Sequence, residues 1–157
     1  MARQPDPTTI VVDTDCLVAD LFIDGTAREV MDVIRGHDWL TLKASDYLIE
    51  DTVDVIAHLG DRPLADAWND RFERLASMVE HPAEDHPALA SAYAGQAAHL
   101  ISYDDRLASV RTGLSMRKAM PISVRSPDAF MQVFDPASLF ESVFEESYPG
   151  PNRAQRD

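Results

Sequence analysis

The chain has 157 residues, of which 45% are hydrophobic, and it carries a formal net charge of −13 at pH 7. This length suits one domain with one core, and the hydrophobic share excludes wholesale disorder. No apolar run approaches the roughly 18 residues of a membrane-spanning helix, and the single Cys16 excludes an internal disulfide. The first residues lack the apolar core of a signal peptide, so we expect a cytoplasmic protein.

The charge comes from 27 acidic residues against 14 basic ones, and the only lysines are Lys43 and Lys118. Abundant acid with scarce lysine is typical of the proteome of a salt-accumulating halophilic archaeon. At molar salt the Debye length falls to about 3 Å, so repulsion between such a surface and nucleic acid is largely screened. We therefore interpret the charge as adaptation to salt, which neither favours nor excludes an RNA substrate.

Strand and helix patterns alternate along the chain. Apolar or β-branched runs predict strands at 8–13, 39–42, 99–103 and 121–124. Helices with one apolar face are predicted to begin near Asp15, Thr26, Ser45, Asp61, Pro87, Asp104, Ser126 and Pro136. The helix from Asp61 is predicted to continue to Val79. This alternation predicts an α/β fold with a parallel sheet between two helical layers, as a single domain over 1–148 with a flexible tail at 149–157.

Four acidic residues lie where this fold would bring them to one edge of the sheet: Asp13, Glu50, Asp85 and Asp104. Asp13 and Asp104 directly follow predicted strands, and ligands of parallel sheets bind beyond the carboxyl ends of the strands. Carboxylates brought together repel one another unless a cation joins them, and Mg²⁺ and Mn²⁺ prefer oxygen ligands. The pattern predicts a divalent-metal site for phosphodiester hydrolysis.

Each of these acids also has a purely structural interpretation. Asp13, Asp85 and Asp104 precede predicted helices, where aspartate is a favourable N-cap. Glu50 is followed by Asp51 and would also suit a solvated helix surface. The metal-site hypothesis therefore depends on the order of the four acids and on the element ends at which they stand.

The first half of the chain resembles the PIN-domain ribonucleases, a family that includes the VapC toxins. A motif of that family is an apolar strand running into Asp-Thr-Asn, and Ile10–Val18 is similar to it, with Asp15 in place of the Asn. A second motif is a Glu inside the helix that follows the second strand, which Glu50 matches. The replacement at Asp15 adds a carboxylate to the expected site.

The second half of the chain carries two further motifs of the family. Asp85 matches an Asp that opens an Ala-rich helix, and Asp104 matches an Asp that follows the next strand, with Ser102 two residues before it. The segment 122–130 is similar to the last strand and the Pro-containing helix start. The resemblance covers about Thr9 to Phe134.

The resemblance implies a three-layer α/β/α PIN-like domain and Mg²⁺- or Mn²⁺-dependent endonucleolytic cleavage of RNA, in a toxin or an RNA-processing nuclease. It implies that Asp13, Glu50, Asp85 and Asp104 hold the metal. Residues expected to contact the site or the substrate are Asp15, Ser102, Arg106 and Arg111. The resemblance also allows a homodimer and an antitoxin-like protein partner.

Two other functions fit part of the sequence. Asp13-Thr14-Asp15 has the Asp-x-Asp form of a haloacid-dehalogenase-like phosphatase, for which Lys43 would be the required lysine. That interpretation leaves Glu50 and Asp85 without a role. The other alternative is a catalytically silent PIN-like module that serves binding or assembly.

Overall fold

Five strands and their flanking helices form the part of the chain that the computed structural model describes, residues 4–83, 85–107 and 121–153. The strands are β1 (Asp6–Val12), β2 (Thr41–Ser45), β3 (Ala76–Val79), β4 (Ala97–Ile101) and β5 (Ser123–Arg125). The helices are α1 (Thr14–Phe22), α2 (Thr26–Gly36), α3 (Asp46–Leu59), α4 (Arg62–Leu75), α5 (Pro87–Ala94), α6 (Pro127–Val133) and α7 (Pro136–Phe144).

All five strands are parallel, in the order β3-β2-β1-β4-β5. The chain starts in the centre of the sheet with β1, builds toward one edge, and then returns to the other side of β1 with β4. Ile10 of β1 pairs with Leu42 on one side and with His99 on the other. The strand order therefore reverses between β1 and β4, so their carboxyl ends form the natural ligand-binding edge of this sheet.

Helices cover both faces of the sheet, which confirms the predicted three-layer α/β/α class. Lys43 packs its stem against Gly95 at the end of α5, where an added Cβ would lie 2.9 Å from Lys43 Cγ. His99 lies on the opposite face, because side chains alternate along a strand, and it contacts Phe130 of α6 edge-on at 5.4 Å. α2 packs on α6, and α3 packs on both α4 and α5.

The edge strand β3 was not predicted. The sequence pattern indicated one helix from Asp61 to Val79, and this was wrong, because the helix ends at Leu75 and Ala76–Val79 pairs with β2. The strand is short and half-exposed, so it lacks the buried apolar run that marks β1. The apolar Val79 also lies at helical spacing from Leu75, which made a longer helix plausible.

The second strand lies further along the chain than predicted. It covers Thr41–Ser45 instead of 39–42, and Ser45 both ends the strand and caps α3 by accepting a hydrogen bond from Leu48 N at 3.2 Å. Trp39 instead packs edge-on against Phe140 and Phe144 of α7, with ring centroids 5.3 and 5.9 Å away. The predicted helix from Asp104 to Val110 falls partly outside the described residues, which stop at Leu107 in this part of the chain.

Part of the segment predicted to be a flexible tail is bound to the domain. Asn152 N donates to Gly36 O at 2.8 Å, and the Asn152 side chain exchanges hydrogen bonds with Asp38. The Arg153 guanidinium donates to Arg35 O at 2.6 Å and to other carbonyls at the end of α2. These contacts satisfy carbonyl groups that a helix end leaves without partners. In the described part of the chain, no helix is long and apolar enough to cross a membrane.

Candidate acidic site

Asp13 stands at the carboxyl end of the central strand, where β1 passes into α1. Its backbone N–H donates to Ile101 O at 2.9 Å, which continues the β1–β4 pairing by one residue. Its Oδ1 accepts from Thr14 N at 2.8 Å, and Asp13 is the N-cap of α1. The capping role that aspartate offers is thus present, and it leaves the second carboxylate oxygen for another partner.

Ser102 joins two carboxylates across the switch point between β1 and β4. Its hydroxyl lies 2.8 Å from Asp13 Oδ2 and 3.3 Å from Asp15 Oδ2, and it accepts from Asp104 N at 3.0 Å. Tyr103 N also donates to Asp15 Oδ2, at 3.1 Å. A hydroxyl has one proton, so Ser102 can donate to only one carboxylate at a time. Two acids therefore share one side-chain donor in a largely buried position.

The carboxylates of Asp13 and Asp15 have too few hydrogen-bond donors to offset their two negative charges. Burial raises the pKa of Asp13 above its usual range, the hydrogen bond from Ser102 opposes that shift, and the charge of Asp15 adds to it. Asp15 Oδ1 is buried without a hydrogen-bond partner among the described residues. A buried acceptor without a partner is costly, and a divalent cation with oxygen preference would satisfy it. The donor set at Asp13 and Asp15 therefore fits Mg²⁺ or Mn²⁺.

A cleft of about 410 Å³ opens beside Asp13. Its lining residues are Asp13, Thr14, Asp51, Asp54, Val55, His86 and Pro87. Thr14 Oγ1 and Thr52 Oγ1 are hydrogen-bonded at 2.9 Å, which ties the start of α1 to α3 and sets the rotation of α3 about its axis. Asp51 and Asp54 consequently line the cleft, and sequence reasoning did not select either of them. The sequence signal that could have identified Asp51 and Asp54 is their position in α3 close to the buried residues Thr52 and Ile56.

Glu50 and Asp85, two of the four predicted metal ligands, do not line this cleft. Glu50 is exposed on α3, one residue before Asp51. Asp85 is partly buried, its N–H donates to Pro82 O at 3.3 Å, and the N-cap of α5 is the next residue, His86. His86 Nδ1 accepts from Leu89 N at 3.5 Å. The structure thus brings Asp13 and Asp15 together on Ser102, and neither Glu50 nor Asp85 is among the residues that line the cleft.

Asp104 lies near the same edge but is engaged by Arg106. Arg106 Nε donates to Asp104 Oδ1 at 2.9 Å and Nη2 donates to Oδ2 at 3.0 Å, a bidentate pair. Hydrogen bonding from Arg106 lowers the pKa of Asp104 below its ordinary value. His86 interacts electrostatically with both Asp104 and Asp13, and it lines the cleft beside Asp13. Arg111, the other predicted substrate contact, lies outside the described residues.

Within residues 4–83, 85–107 and 121–153, no three His, Cys, Asp or Glu side chains stand close enough together to hold a metal ion. Asp13 and Asp15 supply two carboxylates, and Asp51 and Asp104 stand further away. A cation at this pair would take its remaining oxygens from water or from a phosphate. That requirement suits Mg²⁺, which usually keeps several waters and binds proteins through one or two carboxylates.

The fold and the site define an α/β protein with an acidic cleft at the carboxyl edge of a parallel sheet. Residues 4–156 match the model of a family of unknown function, DUF7384, and the chain belongs to that family. No curated protein matches the chain.

Replacing Ser102 should make the repulsion between the carboxylates of Asp13 and Asp15 measurable as a loss of stability. We expect Ser102→Ala to lower the free energy of unfolding by about 1–3 kcal/mol at neutral pH, because it leaves buried carboxylate oxygens without their donor. The hydrogen bond from Ser102 lowers the pKa of Asp13, so its loss raises that pKa further. The penalty should shrink below the unfolded-state pKa of aspartate, where the acid is protonated in both states.

Urea unfolding at neutral and acidic pH would measure this effect, with Ser77→Ala on the exposed edge strand as the control. An equal loss at both pH values would mean that the Ser102 hydroxyl does not act on the ionised form of Asp13.

Proposed function

We propose that this protein is a Mg²⁺- or Mn²⁺-dependent endoribonuclease that hydrolyses RNA phosphodiester bonds at the acidic cleft. The observation that carries the proposal is the carboxylate pair on Ser102. Asp15 Oδ1 is buried without a partner, and the pKa of Asp13 is raised by burial and by the neighbouring charge of Asp15. A divalent cation would complete such a site. The similarity of Ile10–Val18 and Ser102–Asp104 to PIN-domain motifs supports RNA as the substrate.

In this proposal Asp13 and Asp15 hold the ion, and Ser102 orients them. A bound divalent ion supplies a Lewis acid that lowers the pKa of water and offsets charge on the phosphodiester. His86 lines the cleft, where its imidazole can donate a hydrogen bond to a phosphate oxygen. The Arg106 guanidinium can release Asp104 and bind a phosphate of the RNA instead, because guanidinium binds carboxylate and phosphate in the same bidentate way.

The acids on α3 complete the cleft wall opposite Asp13. Asp51 and Asp54 line it, and we propose that Asp51 fills the role that the PIN-like resemblance assigned to Glu50. Asp51 would hold water molecules around an ion bound by Asp13 and Asp15. Such outer partners typically contribute 10- to 100-fold to metal affinity or activity.

The phosphatase alternative is weaker, because its lysine is at the wrong end of the sheet. Lys43 packs against Gly95, which precedes β4, and it interacts electrostatically with Asp6 at the start of β1. Asp13 stands at the other end of β1. Both oxygens of Asp13 also accept hydrogen bonds, from Thr14 N and from Ser102, which suits a ligand better than a nucleophile.

Two biological roles are consistent with the proposed activity. A toxin would need an antitoxin-like protein that covers the acidic cleft, whereas an RNA-processing nuclease would work without one. A homodimer suits either case, and α7 offers it an apolar surface in the half-exposed Val143 and Phe144. Light scattering on the purified protein would measure the oligomeric state directly.

The proposal is tested by cleavage of a mixed, structured RNA pool in high KCl. The protein is stripped with EDTA, and Mn²⁺ is then titrated from zero. We expect cutting only when Mn²⁺ is present, and a loss of about tenfold or more in Asp15→Asn, because Asp15 holds the ion together with Asp13. Asp70→Asn is the matched control, because Asp70 is exposed on α4. p-Nitrophenyl phosphate, assayed in parallel, measures phosphomonoester hydrolysis.

The alternatives give different results in the same assay. Mn²⁺ binding without any cutting would contradict the nuclease and favour a catalytically silent PIN-like module. Release of nitrophenol without RNA cutting would favour the phosphatase. Cutting that survives EDTA would mean that the activity does not depend on this carboxylate site.

A further inference from the structure

A second cleft, also of about 410 Å³, lies on the opposite face of the sheet from the α5 side. Its polar lining is His99 of β4, Arg125 of β5, and Asp135 and Ser138 at the start of α7, and Phe134 and Leu139 supply apolar walls. The volume falls within the range of about 300–1,000 Å³ that is usual for small-molecule sites. The acidic site makes no use of these residues, so this cleft needs its own explanation.

Arg125 supplies a positive charge that the described residues leave unpaired. The side chain is partly buried, and no acid in the described part of the chain forms an ion pair with it, although Asp135 lines the same cleft. In a chain of net charge −13, a half-buried guanidinium that forms no ion pair within the described residues is a candidate site for an anionic ligand.

His99 adds a buried polar atom without a partner. Its Nδ1 is inaccessible to solvent and makes no hydrogen bond to the described residues. Burial, with a smaller contribution from the charge of Arg125, lowers the pKa of His99 to about 4, so the ring is neutral at pH 7. A neutral imidazole leaves Arg125 as the only positive charge among the lining residues.

Asp135 restricts what the anion can be. It caps α7, with Oδ1 accepting from Ala137 N at 3.1 Å and Oδ2 accepting from Ser138 Oγ at 2.7 Å, and these bonds keep it ionised. An ionised carboxylate in the same cleft repels a free phosphate. A nucleotide unit suits both charges, because its phosphate pairs with a guanidinium while its hydroxyl or amino groups donate to a carboxylate. Phe134 provides a ring of the kind on which bases stack without sequence preference.

The strand that carries Arg125 ends at the same carboxyl edge of the sheet as the acidic pair. Arg125 is the last residue of β5, and its carbonyl accepts from Ser102 N at 2.9 Å. Ser102 is the residue that holds Asp13 and Asp15. Neighbouring strands are about 4.8 Å apart, so the backbone of Arg125 lies one strand spacing from Ser102 and two from Asp13.

We propose that the cleft of His99, Arg125, Phe134 and Asp135 binds one nucleotide of the RNA strand, with its phosphate on the Arg125 guanidinium and its base against Phe134. The proposal rests on the proposed function for the choice of RNA as ligand. Its geometry rests on the cleft alone.

Binding of a short fluorescent single-stranded RNA, followed by anisotropy in EDTA, tests the proposal without cleavage. The KCl concentration should be the lowest at which the protein keeps its native circular dichroism spectrum, because phosphate contacts weaken steeply with salt. We expect Arg125→Gln to weaken binding by about tenfold and Arg125→Lys to restore part of it. Arg71→Gln removes the same charge from an exposed site on α4 and should bind like the unmodified protein.

Competition and cleavage then separate the outcomes. AMP should displace the RNA from the unmodified protein at lower concentration than inorganic phosphate does. Equal competition by phosphate would overturn the nucleotide assignment, and so would Arg125→Gln binding that equals that of Arg71→Gln. If Arg125→Gln loses binding while no protein cuts RNA with Mn²⁺, the cleft is supported and the nuclease proposal fails. If RNA is cut but Arg125→Gln binds and cuts normally, the nuclease is supported and the cleft assignment fails.

Discussion

Asp13→Asn should lower Mn²⁺-dependent RNA cleavage about 1,000-fold, the largest loss expected from any single change in this protein. The substitution removes the carboxylate that Ser102 holds at 2.8 Å and that faces the cleft, while its size and its ability to cap α1 are kept. Losses of 100- to 1,000-fold are usual when one preorganised electrostatic group is removed from an active site. The measurement is the initial rate of RNA cutting at saturating Mn²⁺.

The same substitution should leave the metal-free protein as stable as before or more stable by about 1 kcal/mol at neutral pH. Because the pKa of Asp13 is raised in the folded state, the unfolded chain releases its proton first as the pH rises, and the free energy of unfolding falls over that interval. The gain from Asp13→Asn should therefore be absent below the unfolded-state pKa and complete above the folded-state pKa. The new amide can also donate to Ser102.

Thermal unfolding with and without Mn²⁺ measures whether Asp13→Asn raises the stability of the metal-free protein while it removes the stabilisation by Mn²⁺. Mn²⁺ should raise the Tm of the unmodified protein and of the Asp70→Asn control, but not that of Asp13→Asn. A less stable, metal-free Asp13→Asn would contradict our account, because it would mean that the charged form of Asp13 stabilises the fold.

Asp51→Asn should reduce RNA cleavage by up to about 100-fold, whereas Glu50→Gln should change it less than twofold, as expected for a residue that does not line the cleft. The two residues are neighbours in the chain, but only Asp51 lines the cleft with Asp13. Each substitution removes one negative charge from the same turn of α3, so a general change in surface potential would affect both variants equally. The pair is therefore its own matched control.

Cleavage rates at a fixed Mn²⁺ concentration, followed by a Mn²⁺ titration of each variant, decide between the two acids. A loss in Asp51→Asn that higher Mn²⁺ restores would indicate that Asp51 acts through the metal. A large loss in Glu50→Gln with normal activity in Asp51→Asn would support the assignment made from the PIN-like resemblance and would contradict the placement of α3.

Local signals in the sequence were sufficient for much of the fold. The continuous apolar run of β1 is buried on both faces, as a central parallel strand requires, and Ser45 and Asp61 cap the helices that they precede. Asp13 follows its strand directly, so strand periodicity predicted its place at the carboxyl edge of the sheet, and the PIN-like resemblance added Ser102. These features depend on residues close together in the chain, which explains why they are readable without a structure.

Other features depended on partners far away in the chain. The edge strand β3 exists because Ala76–Val79 meets the free edge of β2, and its own residues carry no clear strand pattern. Asn152 and Arg153 are polar residues that would be mobile if isolated. They are held because the open carbonyl groups at the end of α2 lie within their reach.

By itself, the sequence determined an α/β domain with a parallel sheet, an acidic character, and carboxylates at the carboxyl end of β1. Only the tertiary structure decided which acid of α3 faces them. Glu50 and Asp51 border the buried face of Thr52 and Ile56 on opposite sides, and the helical pattern treats the two sides alike. The Thr14–Thr52 hydrogen bond and the packing of α3 against α1 break that symmetry, and they leave Asp51 on the side of Asp13.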